Sequence, residues 1–153
     1  SSTQAATQEL NNIKLWIEQK TRELNERLAV VAANEAASRF GNAIYDGTND
    51  VTLTAEPTAN GWQIVAEGQA VFFIEFGAGV YYNGTEPYPE PRPEGIVGIG
   101  EYGKGFGKRN AWGFYNADGE LGITHGNPAA MPMFYAKEAV IAQLNEIARQ
   151  VFA

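Results

Sequence analysis

The run from Val71 to Gly79, VFFIEFGAG, constrains the fold more than any other stretch of the sequence. Its first six residues are β-branched, aromatic or aliphatic except for one glutamate, a composition that is typical of a buried strand. Two glycines then end the run abruptly. Because successive side chains of a strand point to opposite faces, and both faces here are apolar, the run predicts a strand in a sheet that is covered on both sides or meets a partner.

Two shorter patterns precede this run and predict the rest of the sheet. Residues 51–55 alternate between apolar and polar side chains, and Trp62, Ile64 and Ala66 occupy alternate positions of a second run, which is typical of half-buried strands. The Asn60-Gly61 pair between them is a strong signal for a tight turn. We therefore predict a three-stranded antiparallel β-meander over residues 50–76.

Helical patterns flank this sheet on both sides. The first covers residues 8–40, and its length of about 33 residues is roughly three times that of an ordinary helix. We expect it to bend near residues 32–34 or to pack partly on another subunit. The second covers residues 132–152, begins at Pro132, and is expected to pack on the sheet. The apolar stripe of the first helix consists of Leu10, Ile13, Ile17, Leu24, Leu28 and Val31.

Residues 77–131 interrupt the regular patterns. They contain most of the glycines of the chain and five of its seven prolines, which predicts a long Gly/Pro-rich loop or arm. Residues 112–115 and 121–124 are candidates for a small hairpin within it. An irregular segment of this length is usually functional or ordered by a partner, and its many aromatic residues argue against a disordered linker. The fold class is α+β, in a single domain over residues 1–153.

Charge and composition exclude several classes of function. The formal net charge is −7, and residues 42–76 contain five acidic residues and no Lys or Arg. Such a chain lacks the basic stripe that binding to nucleic acid phosphates requires. It has no cysteine, and no apolar run approaches the roughly 18–20 residues of a membrane span. We expect no metal and no cofactor, because the sequence contains no spaced cluster of ligands.

Three features resemble chemical sites, and each also has a simpler structural interpretation. Residues 98–103 match the G-x-G-x-x-G string, but the surrounding glycines and prolines favour a flexible loop over a dinucleotide site. His125, the single histidine, is interpreted as a structural hydrogen-bonding residue. Glu75 lies within an apolar run, so it either reaches solvent at the rim of the sheet or pairs with Lys104, Lys108 or Arg109, from its own chain or a neighbouring copy.

Two short motifs resemble those of a known family. Residues 75–79 have the form E-F-G-x-G, and residues 129–136, AAMPMFYA, resemble a small-x-x-P-hydrophobic entry into a last helix. With the long first helix, the meander and the Gly-rich insertion, these motifs resemble the neck or tail-completion proteins of long-tailed bacteriophages. These are the minor tail protein Z-like, "tail component" family.

The resemblance implies a structural virion protein and no enzymatic activity. Members of the family are ring-forming subunits that join the head connector or stopper to the tail terminator or tail tube. It implies copies of the same chain as partners, DNA that passes through the lumen without sequence-specific contact, no membrane partner, and assembly in the bacterial cytoplasm. The candidate subunit-contact residues are Phe73, Glu75, Phe76, Tyr81, Tyr82, Tyr88, Lys104, Phe106, Lys108, Arg109, Trp112 and Phe114.

Two other classes of function remain open at this point. The Trp- and Tyr-rich loop could form a groove for carbohydrate or peptide, which would make the chain a small monomeric binding module. A compact hydrolase or nuclease would instead need Glu75, His125 and Arg109 to converge on one point.

Overall fold

A computed structural model describes residues 1–79, 88–94 and 110–153. Two long helices and two separate antiparallel hairpins make up most of this part of the chain. The elements are α1 (Ser2–Gly41), β1 (Thr52–Pro57), β2 (Trp62–Glu67), α2 (Val71–Phe76), β3 (Trp112–Tyr115), β4 (Leu121–Thr124) and α3 (Pro132–Phe152).

Helix α1 is an unbroken helix of 40 residues that begins before the predicted position. Its start is stabilised by a capping box, in which the Ser1 hydroxyl accepts a hydrogen bond from the backbone N–H of Gln4 and the Gln4 side chain accepts one from the N-terminus. The end at Gly41 agrees with the sequence, which predicted that the helix stops after Phe40.

The hairpin of β1 and β2 forms where the sequence predicted its two strands and the turn between them. Leu53 pairs with Ala66 and Ala55 pairs with Ile64, and the turn between the strands contains Asn60-Gly61. The hairpin packs on α1. The second hairpin, of β3 and β4, also forms where the sequence predicted it, with Trp112 opposite Thr124.

The prediction of a third strand at residues 71–76 is wrong, because this segment is the short helix α2. Helical spacing places Ala70 and Ile74 together in the core, and it brings the Phe72 and Phe76 rings to a centroid distance of 5.8 Å. The three-stranded meander is therefore replaced by a two-stranded hairpin followed by a helix. Tertiary hydrogen bonds at both ends of α2, described below, override the β propensity of the run.

Helix α3 packs along α1 and contacts α2, where we had expected it to lie on a sheet. Small side chains explain the close approach, because Ala36 and Ala136 are both buried in the same cluster. Phe40 and Ile74 complete that cluster together with Ala70. The core thus lies where the C-terminal half of α1, the start of α3 and α2 meet.

Candidate functional site

The Glu75 carboxylate is buried and joins α2 to the beginning of α3. Only 4% of the residue is exposed. Its Oε2 accepts a hydrogen bond from the backbone N–H of Met133 (2.8 Å), and its Oε1 accepts one from the N–H of Phe134 (3.1 Å). These are unpaired N–H groups in the first turn of α3, where a negative charge also interacts favourably with the helix dipole. Glu75 therefore caps a helix that begins 57 residues further along the chain.

Tyr88 completes the hydrogen bonding of this carboxylate. Its hydroxyl donates to Oε1 of Glu75 at 2.7 Å, and its ring packs against Phe76 and Phe134 at centroid distances of 4.6 and 5.9 Å. Burial is the main cause that raises the pKa of the Tyr88 phenol, and the hydrogen bond to Glu75 and the charge of Glu75 raise it further. The phenol therefore stays protonated and continues to donate. Next to it, Lys137 of α3 forms an ion pair with Glu90.

The backbone carbonyls at the end of α2 are bonded by the segment that leads into α3. The N–H of Ala130 donates to the carbonyl of Ile74, and the N–H of Met131 donates to that of Glu75. The Asn127 side chain donates to the carbonyl of Phe73 at 2.7 Å. Glu75 of α2 thus satisfies free N–H groups of α3, and the segment before α3 satisfies free carbonyl groups of α2. We call these residues, 73–79 and 127–134, the helix junction.

A close crossing of two backbone segments completes the helix junction. Ala78 and Asn127 exchange two backbone hydrogen bonds of 2.9 and 2.8 Å. Gly126 has φ of +99°, and a Cβ added there would collide with the carbonyl of Ala78. Gly79 has φ of +80°, and a Cβ there would lie 2.8 Å from both the carbonyl of His125 and the Trp112 ring. Glycine is therefore required at both positions.

Asp50 stabilises the opposite end of α2. Its two carboxylate oxygens accept hydrogen bonds from the backbone N–H groups of Gln69 (2.8 Å) and Ala70 (2.9 Å). Both bonds lower the pKa of the Asp50 carboxyl, and the bond from Ala70 has the larger effect. Nothing in the sequence indicates this role of Asp50, because an aspartate in a turn-rich segment predicts a bond to backbone about two residues away, not 19 or 20 residues away.

An aromatic hollow lies between the second hairpin and the helix junction. It has a volume of about 210 Å³, and Tyr45, Phe73, Trp112 and Phe114 line it together with polar atoms of Thr124 and Asn127. Those polar atoms are already used within the chain. The Thr124 hydroxyl donates to Asp46 and accepts from Gly126, and the Asn127 amide donates to two backbone carbonyls.

The N-terminal half of α1 is not covered by the rest of the described chain. Every residue from Ser2 to Gln19 is exposed, including the apolar side chains of Leu10 (67%) and Ile13 (48%). Helix α3 ends opposite Trp16, whose ring contacts that of Phe152 at 5.8 Å. We call residues 2–19 the α1 overhang. The other large exposed apolar side chains include Val30, Ile44, Trp62, Phe72, Tyr115, Leu121, Ile123, Tyr135, Ile141 and Leu144.

The residues predicted to contact other subunits fall into three groups. Glu75 and Phe76 are buried within the chain, in the helix junction. Phe73, Tyr88, Trp112 and Phe114 are half-buried, and all of them line the junction or the aromatic hollow. The remaining six, which lie outside the described residues, are Tyr81, Tyr82, Lys104, Phe106, Lys108 and Arg109.

Of the two interpretations of Glu75, the one with a solvent-exposed side chain at a sheet rim is wrong, because Glu75 is buried on a helix. Its described partners are a phenol and two backbone N–H groups; the predicted cationic partners lie outside the described residues. His125 is exposed, and its carbonyl borders Gly79.

Within residues 1–79, 88–94 and 110–153, no group of three or more acidic or histidine side chains is placed to hold a metal ion. None of the helices in the described part of the chain combines the length and apolarity needed to cross a membrane. No protein-family model, curated protein or solved structure matches the chain significantly.

Proposed function

We propose that the chain is a structural virion protein of a tailed bacteriophage. In this proposal it is a ring-forming neck or tail-completion subunit, assembled in the bacterial cytoplasm, that joins the head connector or stopper to the tail terminator or tail tube. It acts through surfaces and forms no covalent bonds with substrates. Its partners are copies of itself and the virion proteins above and below the ring.

The observation that carries this proposal is the α1 overhang. Apolar side chains on a surface helix normally face a core, and here a stripe of them extends past the end of α3 into solvent. A contiguous exposed apolar surface marks a site of association. A subunit that exists only within an assembly would have such a surface, whereas a self-contained binding module or enzyme does not need one.

The helix junction supports the resemblance on which the more specific part of the proposal rests. The E-F-G-x-G motif and the segment that enters the last helix are about 50 residues apart in sequence, yet they bond directly to each other. Three positions of the first motif have a physical role: Glu75 caps α3, Phe76 is buried, and Gly79 allows the close crossing. The two motifs therefore form one structural unit.

The distribution of charge is compatible with DNA passing through the ring. Four of the five acidic residues between positions 42 and 76 are exposed, and the fifth is Glu75 in the helix junction. Carboxylates that face a lumen repel phosphate, so the genome would slide past without being held. The exposed members are Asp46, Asp50, Glu56 and Glu67.

Imaging of the purified chain tests this proposal. Size-exclusion chromatography with light scattering, followed by negative-stain electron microscopy, should give closed rings with a central channel. Because assembly depends on concentration, the samples should cover a wide range of protein concentration. A chain that remains monomeric throughout that range would contradict the proposal.

A second candidate function, a small carbohydrate- or peptide-binding module, rests on the aromatic hollow. Its volume of about 210 Å³ is below the range that is usual for ligand sites, and its main polar atoms are already bonded within the chain. Tryptophan fluorescence titrated with oligosaccharides and extended peptides would test it. Saturable quenching that is lost in Trp112→Ala, from a protein that is monomeric, would favour this function over the ring.

A further inference from the structure

We propose that the α1 overhangs of neighbouring copies lie side by side and parallel, with Glu9 of one copy paired to Lys14 of the next. This inference rests on the proposed assembly of the chain, and it specifies how one contact between copies is made. It concerns residues 2–19 alone, none of which is buried by the rest of the described chain.

The stripe on α1 repeats every seven residues, which is the pattern of helices that pack along each other. Near the middle of α1, Leu24 and Val31 of this stripe are half-buried by the rest of the chain. Earlier in the helix, Leu10 and Ile17 occupy equivalent positions and are exposed. Ile13 fills the intermediate position of the exposed repeat. The same seam thus continues from a region where the chain covers it into one where the chain does not.

The length of the uncovered region is sufficient for a helix–helix contact. Helix α3 ends at Phe152, next to Trp16, so residues 2–15 extend beyond it. At 1.5 Å per residue, these residues extend about 21 Å, or two seven-residue repeats. A neighbouring helix of the same length would cover Leu10 and Ile13.

The charges of the overhang favour another copy of the same segment as the neighbour. The overhang contains three charged side chains, Glu9, Lys14 and Glu18, of which Glu9 and Lys14 flank the apolar stripe on opposite sides. When two parallel helices pack through such a stripe, a flanking residue of one helix faces the residue of the other helix whose number is higher by five. Glu9 of one copy therefore faces Lys14 of the next. Antiparallel packing would instead place like charges together.

The directions in which Glu9 and Lys14 point from the helix also suit a ring. Five residues along a helix correspond to a rotation of about 140°, so Glu9 and Lys14 point in directions separated by that angle. A subunit in a closed ring touches its two neighbours through different surfaces, which face in different directions. Lys14 now lies 4.0 Å from Glu18 in an exposed pair, a weak interaction that it can exchange for Glu9 of the next copy.

Zero-length coupling with a carbodiimide tests the arrangement directly, because it joins a carboxylate to an amine with which it forms an ion pair. The parent chain should give a ladder of linked copies on a denaturing gel. Peptide mass spectrometry of a mixture of isotope-labelled and unlabelled chains should show Glu9 of one copy joined to Lys14 of another. The variants Glu9→Gln and Lys14→Gln are the matched controls, because each removes one of the two reacting groups, and both should remain unlinked.

The outcomes separate this inference from the proposed function. A ladder that extends beyond two copies supports both. Linked dimers alone, with no ring in the microscope, support the parallel contact and overturn the ring. Rings in which Glu9 and Lys14 of different copies are not joined overturn the contact and leave the ring standing. Linked copies that form to the same extent in either glutamine variant arise from other contacts and overturn the inference, as does a monomeric chain that does not cross-link.

Discussion

Glu75 connects three parts of the described fold. Its carboxylate accepts three hydrogen bonds from residues that are distant in sequence: two N–H groups of α3 and the Tyr88 hydroxyl. A buried carboxylate is costly unless it is fully hydrogen-bonded, and here each bond also satisfies a group that would otherwise be unpaired. Glu75 thus links α2, the segment at 88–94 and α3.

Replacing Glu75 with alanine should destabilise the protein strongly. We expect Glu75→Ala to lower the free energy of unfolding by about 3 kcal/mol, because it leaves buried donors without an acceptor and removes the cap of α3. The control is Glu138→Ala, an exposed glutamate on the same helix, which should change stability by less than about 0.5 kcal/mol. Urea unfolding at a fixed protein concentration measures both; equal effects would contradict the role assigned to Glu75.

Asp50 should make stability depend on pH in the acidic range. Its pKa is lower in the folded chain because it accepts hydrogen bonds from Ala70 and Gln69. The resulting stabilisation is present above the pKa of the unfolded state, about 3.9, and is lost as the pH falls through the lower folded value. Asp50→Asn should therefore be less stable than the parent chain near neutral pH, and the difference should shrink in acid. Thermal unfolding from pH 7 down to the acid limit measures this; a difference independent of pH would contradict it.

The close crossing of the backbone at Ala78 and Asn127 can be tested by alanine substitution of two glycines that both have positive φ. Gly126 and Gly119 both have positive φ, of +99° and +80°. A Cβ at Gly119 would meet no atom within 4 Å, whereas one at Gly126 would strike the carbonyl of Ala78. Gly119→Ala should cost only the conformational strain of about 1 kcal/mol. Gly126→Ala should cost at least about 2 kcal/mol more, because the crossing must open. Similar midpoints for the two variants in urea would contradict the tight crossing.

The two faces of the α1 overhang provide a matched pair for testing assembly. Leu10 lies on the apolar stripe and Leu15 on the opposite face, and both are exposed, at 67% and 62%. Leu10→Ser should weaken association about tenfold or more, since it removes about 1.5 kcal/mol or more of apolar burial between copies. Leu15→Ser should leave association unchanged. Neither should alter the folded subunit, and sedimentation at several concentrations distinguishes them; equal weakening would show that the stripe is not the contact.

Six of the seven elements were predicted from local patterns in the sequence. The 3.6-residue period predicted α1 and α3, and short apolar runs joined by turn signals predicted the four strands of the two hairpins. The run at residues 71–76 was misread because a short apolar run does not distinguish a strand from a buried helix. Its conformation is decided by Asp50 at one end and residues 127–131 at the other.

The candidate site was predicted only in part for the same reason. An isolated glutamate in an apolar run is visible in the sequence, so Glu75 was singled out. Its partners were not, since Met133 and Phe134 contribute backbone N–H groups, which every residue but proline has. Asn127 and Asp50 bond to backbone in the same way, and their types alone give no indication of distant partners.

The whole molecule has a well-bonded junction at one end of a long helix and an exposed apolar stripe at the other. The helix junction bonds its backbone groups and the Glu75 carboxylate within the chain. The overhang leaves apolar side chains in water, a cost that the proposed association would remove. The stability of the fold and the proposed self-association therefore depend on different parts of the chain.

The mass of the purified protein under native conditions is the most direct test of the proposed ring. Native mass spectrometry of the purified chain should show one dominant species at a whole-number multiple of the 16.6 kDa chain, larger than a dimer, as a closed ring requires. The Leu10→Ser variant should shift the population toward the single chain. A dominant mass of 16.6 kDa for the parent protein at every concentration would contradict the account.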